Sequence, residues 1–270
     1  MGFGDDLMFL GEAEKIHKKT GMKVRPVGGS GWSVLFDNVD FLTKTDGIGV
    51  ISVNRRDDDF TFVAQSPVKY YIDSQTDTKV KFRDYKPKRF KLKFSDREKN
   101  QAEQILRLHN VKQNWMVVNP DYKNTFFNEN KNWGFDKFQQ LVDRLSEHIQ
   151  VVRFLPGGNF QEPELRNAIN IEVPDIRLNL ACLESSKLGV SFDGLYIHVL
   201  SGMNIPCVNI MGGLLHPNVM SYEGNINLYY DHPDTPCGKK ILCSHCEEGN
   251  SSITVDHVYD ACMSLLNKGE

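Results

Sequence analysis

The sequence predicts an α/β chain whose larger part is a doubly wound parallel sheet, and three observations carry that prediction. From residue 115 to 213, β-type and α-type segments alternate strictly. Strands that follow one another through helices run parallel, because a crossover helix returns the chain to the same end of the sheet. The candidate polar residues Asn119, Gly157, Gly158, Asp193, Gly212 and Gly213 each stand directly after a predicted strand, where open α/β sheets bind their ligands. Finally, Val190-Ser191-Phe192-Asp193-Gly194-Leu195-Tyr196-Ile197-His198 joins a β-rich run to a helix, with a histidine five positions after the acid. A carboxylate, free backbone N–H groups and an imidazole thus share one strand–helix junction. Such N–H groups carry partial positive charge and bind phosphate, so the junction reads as a site for a nucleoside diphosphate.

In chain order, residues 7–18 read as a helix capped by Asp5 or Asp6 and stopped by Gly21. Residues 23–27, 49–53 and 60–63 read as strands. The run Lys86-Pro87-Lys88-Arg89-Phe90-Lys91-Leu92-Lys93 alternates basic and apolar side chains. It reads either as a solvated edge strand, since edges carry lysine, or as a contact for an anionic acceptor or a membrane surface. Ser95-Asp96-Arg97-Glu98 is a capping box opening a helix with Ala102, Ile105, Leu106 and His109 on one face. Strands follow at 115–118, 150–155, 171–173, 188–191 and 207–211. Between them Phe138, Leu141, Val142 and Leu145 recur at helical spacing, and Leu178, Ala181 and Leu183 mark a further helix capped by Asp175. Val255, Val258, Tyr259, Cys262, Leu265 and Leu266 form the stripe of a last helix over 255–266. The expected division is an N-terminal α/β unit over 1–95, a connecting helix over 96–111 and a C-terminal nucleotide-binding unit over 112–270.

Composition narrows the function classes. Hydrophobic content of 40% and charged content of 25% are those of a globular chain. A net charge of −3 gives no global attraction to nucleic acid, and no apolar run approaches the ~20 residues of a membrane span. The first twenty residues mix Asp, Glu and Lys with apolar positions, unlike a secretory leader, so the expectation is a cytoplasmic protein with reduced thiols. Cys182, Cys207 and Cys262 fall in apolar stretches and read as core. Cys237, Cys243 and Cys246 cluster in a loop with His245 inside and His232 before it. That density suits a structural metal, although no fourth ligand is evident.

Other constellations leave alternatives open. Gly2-Phe3-Gly4-Asp5-Asp6 is a glycine-rich turn in which an aspartate could act as general base toward a hydroxyl, or simply a capped helix start. Lys131 in Asn130-Lys131-Asn132-Trp133-Gly134 could neutralise a diphosphate or be a solvated loop lysine. Pro156-Gly157-Gly158 suits a nucleobase or ribose, or a plain tight turn. Asp193 with His198 is equally a capped helix with a core-facing histidine. No Walker-type loop occurs.

Taken together these residues resemble glycosyltransferase family nine, the ADP-heptose:lipopolysaccharide heptosyltransferase-like enzymes. The likeness runs from about 117 to 253, with a second patch at 2–8. It rests on Gly4-Asp5, Lys131-Asn132-Trp133, Gly157-Gly158, the acid and histidine Asp193 and His198, Gly212-Gly213, and the cysteine-rich stretch 237–254. The resemblance implies a GT-B fold of two Rossmann-like domains with parallel sheets, here with the N-terminal, acceptor-side domain reduced. It implies inverting, metal-independent transfer of a sugar, heptose for instance, from a nucleotide-diphosphate donor to a glycan or lipid-linked acceptor, as in lipopolysaccharide biosynthesis. An ADP-sugar is the favoured donor, no cofactor is required, and a zinc or iron held by Cys237, Cys243 and Cys246 would be structural. Nucleic acid is not an expected partner, whereas peripheral membrane contact is compatible. Asp5 takes the role of base, Lys131 and His198 that of stabilising the leaving diphosphate, and Trp133 that of supporting the loop. The donor site implied is Gly4, Asn119, Lys131, Trp133, Gly157, Gly158, Asp193, Gly194, Leu195, His198, Gly212 and Gly213. Two departures stand out: the N-terminal unit is short for an acceptor domain, and Gly194 lies one place earlier than the family's glycine after the acid. Two other functions fit the same scaffold, a non-catalytic carbohydrate- or nucleotide-binding protein and a nucleotide-sugar epimerase or hydrolase.

Overall fold

The computed structural model describes residues 2–28, 31–54, 72–73, 78–79, 87–122, 128–155, 163–233, 235–236 and 243–269. Its N-terminal part comprises helix α1 (Phe3–Thr20), strands β1 (Lys23–Val27) and β2 (Val50–Asn54), and a two-residue pair, β3 (Ile72–Asp73) with β4 (Thr78–Lys79). β1 and β2 pair in parallel. α1 ends as its sequence suggests, with Gly21 in the left-handed conformation at φ 70°. Its start differs: the cap is Gly2, and Asp5 and Asp6 lie inside the first turn. The strand expected over 60–63 lies outside the described residues.

The C-terminal part is a six-stranded, wholly parallel sheet. Helix α2 (Asp96–Leu108) leads into β5 (Trp115–Asn119), followed by α3 (Phe135–Leu145), β6 (Gln150–Leu155), β7 (Ile169–Glu172), α4 (Ile176–Cys182), β8 (Leu188–Phe192), α5 (Leu195–Gly202), β9 (Cys207–Gly212), α6 (Pro217–Met220), β10 (Ile226–Tyr229), α7 (Ser244–Ser252) and α8 (Val255–Leu266). The strand order is β10-β9-β8-β5-β6-β7. The chain therefore moves one way from β5 and the other way from β8, and the crevice where the direction reverses lies at the carboxyl ends of those two strands, a preferred ligand position.

Strand alternation assigns side chains to two cores. Trp115, Val117, Val152 and Phe154 face one cluster, while Met116, Val118, Val151, Leu188 and Val190 face the other. The first cluster continues into the N-terminal part through Leu7, Phe9, Leu10, Val24 and Leu35, all buried. α1 thus packs onto the layer formed by α2, α4 and α5. Removing one such leucine to alanine typically costs ~2–5 kcal/mol.

The basic run does not form the expected strand. Residues 87–94 are extended but unpaired, with Phe90, Leu92 and Phe94 buried between exposed lysines. A ladder is blocked because helices occupy its flanks. A Cβ at Gly11 of α1 would collide with the Lys88 carbonyl, and one at Gly202 of α5 with that of Phe90. Arg177 of α4 ties this strap down, donating to Lys93 O at 2.8 Å, to Val34 O at 3.2 Å and to the Glu98 carboxylate. Burial tends to raise the Glu98 pKa, but hydrogen bonds from Arg177 and Ser95 hold it down at about 2. Among the described residues no helix is long and apolar enough to cross a membrane.

Candidate functional site

β8 is five residues of continuous burial, Leu188-Gly189-Val190-Ser191-Phe192. It delivers Asp193 to the crevice and then turns at Gly194 into α5. Gly194 offers no side chain to cap the helix, so the first-turn N–H groups of α5 are left for other partners. Asp193 does not cap it either. Its carboxylate is 4% exposed, and Oδ2 lies 2.6 Å from Lys131 Nζ. That contact is a charge pair whose geometry falls outside hydrogen bonding, so among the described residues neither carboxylate oxygen has a hydrogen-bond partner. Lys131 instead donates to the Asp193 carbonyl at 3.3 Å. A buried carboxylate so sparsely bonded is costly unless something else answers it.

The N-terminus of α1 meets the same place from the other end of the chain. Gly4 lies against His198, since a Cβ there would sit 3.0 Å from His198 Cδ2, 3.3 Å from Nε2 and 3.8 Å from the Gly194 carbonyl carbon. A side chain at this position would press on the imidazole, and glycine lets the two helix starts approach without that contact. Asp5, one residue on, accepts a hydrogen bond from Gly2 N at 2.8 Å and is half-buried. His198 is 2% exposed, so the core-facing reading describes its burial correctly. Burial lowers its pKa to about 4, Asp193 and Asp5 pull it up, and Lys131 pushes it down. The imidazole is therefore neutral at pH 7. Its Nδ1 is 2.8 Å from the Tyr222 hydroxyl, a partner with no motif to announce it.

Asn119, half-buried at the end of β5, donates to Ser191 Oγ at 3.3 Å and so faces the β5–β8 crevice. Leu195 is half-buried against the first core. Trp133 is 2% exposed and works as a tether, donating from Nε1 to Ile253 O at 2.6 Å. On the other side of β5, Arg153 of β6 and Asp121 form a buried two-contact pair at 2.5 and 3.1 Å. Gly157 and Gly158 lie outside the described residues.

Gly212 and Gly213 are placed differently from expectation. Both are fully covered by protein. A Cβ on Gly212, itself at φ 49°, would strike Asn250 Oδ1, and one on Gly213 would stand 2.7 Å from Thr235 Cγ2. The covering element is α7, which the sequence presented as a cysteine-rich loop. It is a helix because neighbours hold both ends. Asn130 Oδ1 accepts from Cys243 N at 3.0 Å, and Asn250 Nδ2 donates back to Asn130 O at 3.0 Å. Lys137 reaches Asn250 O at 2.8 Å and Ile253 O at 3.2 Å, satisfying carbonyls at the helix end. Segment 130–137 and α7 thus form one bolted unit that carries Lys131. Among the described residues, no three His, Cys, Asp or Glu side chains are placed to hold a metal ion. Cys243 Sγ lies 3.5 Å from His245 Nδ1, Cys246 is buried, and Cys237 lies outside the described residues.

No family model and no curated protein matches the chain. Solved structures do. A glycosyl transferase family 9 protein from Veillonella parvula aligns at 16% identity over 67% of this chain and 54% of its own, with a TM-score of 0.53. The iron-containing dodecameric glycosyltransferase TibC of enterotoxigenic E. coli aligns at 12% identity over 100% of this chain and 75% of its own, with a TM-score of 0.63. The chain shares the fold of the family-nine glycosyltransferases. The GT-B-like architecture expected from the sequence is the one observed. An E. coli ADP-heptose lps heptosyltransferase II also aligns, at 16% identity over 66% of this chain and 54% of its own, with a TM-score of 0.48. The chain spans just over half the length of the Veillonella protein and of this heptosyltransferase.

Proposed function

We propose that this chain is a glycosyltransferase that uses a nucleotide-diphosphate sugar. One observation carries the reading: Asp5, Lys131 and the Asp193–His198 junction, three segments distant in sequence, come together where the starts of α1 and α5 meet at the sheet's reversal point. In this reading the donor diphosphate takes the uncapped N–H groups of α5 and the Lys131 ammonium, which are fixed before the reaction and gain value as the leaving group gains charge. Asp5 accepts the proton of the acceptor hydroxyl. The acceptor oxygen attacks the anomeric carbon from the face opposite the diphosphate, and the carbon–oxygen bond to phosphate breaks with inversion. His198, neutral, contributes a hydrogen bond rather than a charge. Asn119 and Leu195 border the donor, and residues 1–95 serve the acceptor side as a reduced domain, with 112–270 holding the donor.

The family resemblance favours an ADP-sugar, heptose among them, a glycan or lipid-linked acceptor, and transfer without a metal. Cys243 and Cys246 offer two sulfur ligands, and a zinc or iron held there with Cys237 would stabilise α7 and take no part in transfer. Calorimetry with ADP, UDP, GDP and their sugars tests the reading. One class should bind with micromolar affinity, and absence of binding by all of them removes it.

A second reading has its own observation. The Asp5 carboxylate is already engaged by Gly2 N at 2.8 Å, which suits a binding protein that holds a nucleotide or sugar without turnover. Product analysis separates transfer from mere retention of ligand.

A further inference from the structure

Tyr222 lies outside every motif, yet the structure invests heavily in its position. It rides on the turn after α6, and both neighbours of that turn are pinned. Asn209 Nδ2 of β9 donates to Ser221 Oγ at 2.8 Å, and Asn225 Nδ2 donates to Ser201 Oγ of α5 at 2.9 Å. Asn225 Oδ1 accepts from Cys207 N at 3.2 Å. From the strap, Arg89 reaches the Glu223 carbonyl and donates to Asn204 Oδ1 at 2.9 Å. The tyrosine is 7% exposed, its ring stands edge-on to His198 with centroids 5.6 Å apart, and its hydroxyl is 2.8 Å from His198 Nδ1.

We propose that Tyr222 is a positioning residue that donates its hydroxyl proton to His198 Nδ1 and so places the imidazole proton on Nε2, the edge that faces Gly4. A neutral imidazole has one donor and one acceptor nitrogen, and the partner of one sets the role of the other. Hydrogen-bond accounting chooses the direction. Among the described residues the Tyr222 hydroxyl meets no acceptor besides His198 Nδ1, so a phenol that donates leaves one buried N–H open, whereas a phenol that accepts leaves its own O–H and the Nε2 lone pair both unanswered. Among the described residues Nε2 makes no hydrogen bond, so its proton is available to an acceptor arriving between α1 and α5. A phosphate oxygen has the chemistry to take it, and that consequence alone rests on the function proposed above.

The test reads the tautomer directly. Long-range proton–nitrogen correlation spectra of the full ¹⁵N-labelled chain at neutral pH, without ligand, distinguish pyridine-like from pyrrole-like ring nitrogens, and a His198→Gln sample assigns the signals. Nδ1 should be pyridine-like and Nε2 pyrrole-like. The reverse pattern overturns the proposal, even if every variant fails to fold. Tyr222→Phe keeps the ring and removes the donor. It should mix the tautomers and weaken ADP binding about two- to tenfold, the range for one neutral hydrogen bond. An unchanged tautomer in that variant also overturns the proposal. Failure of ADP to bind the native chain would sink the donor assignment and leave the tautomer result standing.

Discussion

The mouths of β8 and β9 are neighbours in the sheet and look alike in sequence, each an apolar strand running into glycine. The structure uses them in opposite ways. At β8, Gly194 leads into a helix with no side-chain cap, the Asp193 carboxylate has no hydrogen bond among the described residues, and the α1 glycine that comes close brings Asp5 with it. At β9, Gly212 and Gly213 are spent on seating α7, whose Asn250 and Gly249 press against them. A strand-end glycine therefore says that something approaches the backbone closely, without saying what. When the next segment of chain supplies that partner, the glycine is packing. When it does not, the backbone N–H groups at the turn remain for another partner.

The contrast can be broken first at its chemical end. Asp5→Asn should keep nucleotide binding and cut transfer by ~10²–10⁴, the usual worth of a general base. Turnover assays under saturating donor check this, and native-like rates would take Asp5 out of the mechanism. At the β9 mouth the loss should be of stability. Gly212→Ala combines a left-handed backbone position with a collision against Asn250, so it should cost about 2–5 kcal/mol in denaturant unfolding. A silent Gly212→Ala would mean that the α7 contact is looser than described.

How much of this was legible depends on the range over which the physics acts. β5, β6, β8 and β9 are short runs of buried apolar residues, and their spacing alone marks them. β10 escaped because Ile226-Asn227-Leu228-Tyr229 is a short, half-buried edge strand whose apolar run is interrupted by Asn227. α7 escaped because Ser-His-Cys-Glu-Glu-Gly-Asn-Ser-Ser has no apolar stripe, and its helix is imposed by Asn130 and Lys137. The strap at 87–94 has the right alternation for a strand, but pairing depends on what lies beside it, and two helix glycines do. Asp193 and His198 were readable because they are five residues apart. Asp5 was tied to them by family likeness alone, and Tyr222 had no signal beyond being an aromatic in a polar turn.

His198 sharpens the comparison through pH. Its pKa is about 4 in the folded chain against 6.5 for an ordinary histidine. As pH falls, the unfolded chain takes up this proton first, so stability should decline between pH 6.5 and 4, by roughly 3 kcal/mol at most. A His198→Asn variant should lose that part of the slope. Below it both proteins should weaken together as Glu98, depressed to about 2 from 4.5, is protonated. Parallel profiles for the two proteins above pH 4 would show that the histidine is not held neutral.

Lys131→Ala should lower nucleotide affinity roughly ten- to a hundredfold, the ~1.5–3 kcal/mol of a charge-assisted contact. It also strands the buried Asp193 carboxylate, so the variant should be less stable, and adding Asp193→Asn should restore stability without restoring affinity. Calorimetry and melting curves on the single and double variants separate the two terms. Restored affinity in the double variant would make Lys131 merely a partner for Asp193.

The smallest expected effect is at Gly4, and it decides what α1 is doing there. Alanine is a better helix residue than glycine by up to ~1 kcal/mol. Its Cβ, however, would stand 3.0 Å from His198 Cδ2, so the two helix starts must part by a few tenths of an ångström. These terms oppose each other, and stability should change by about 1 kcal/mol or less. If α1 is only a packing element, as α7 is at the β9 mouth, nothing else should change. If the start of α1 forms one wall of a nucleotide site, the displacement moves Asp5 relative to Lys131, and transfer should slow several-fold at nearly constant melting temperature. Misplacement of reacting groups weighs more on rate than on stability. A Gly4→Ala protein with unchanged affinity and unchanged turnover would place the two strand mouths in the same class, both filled by protein for the sake of packing.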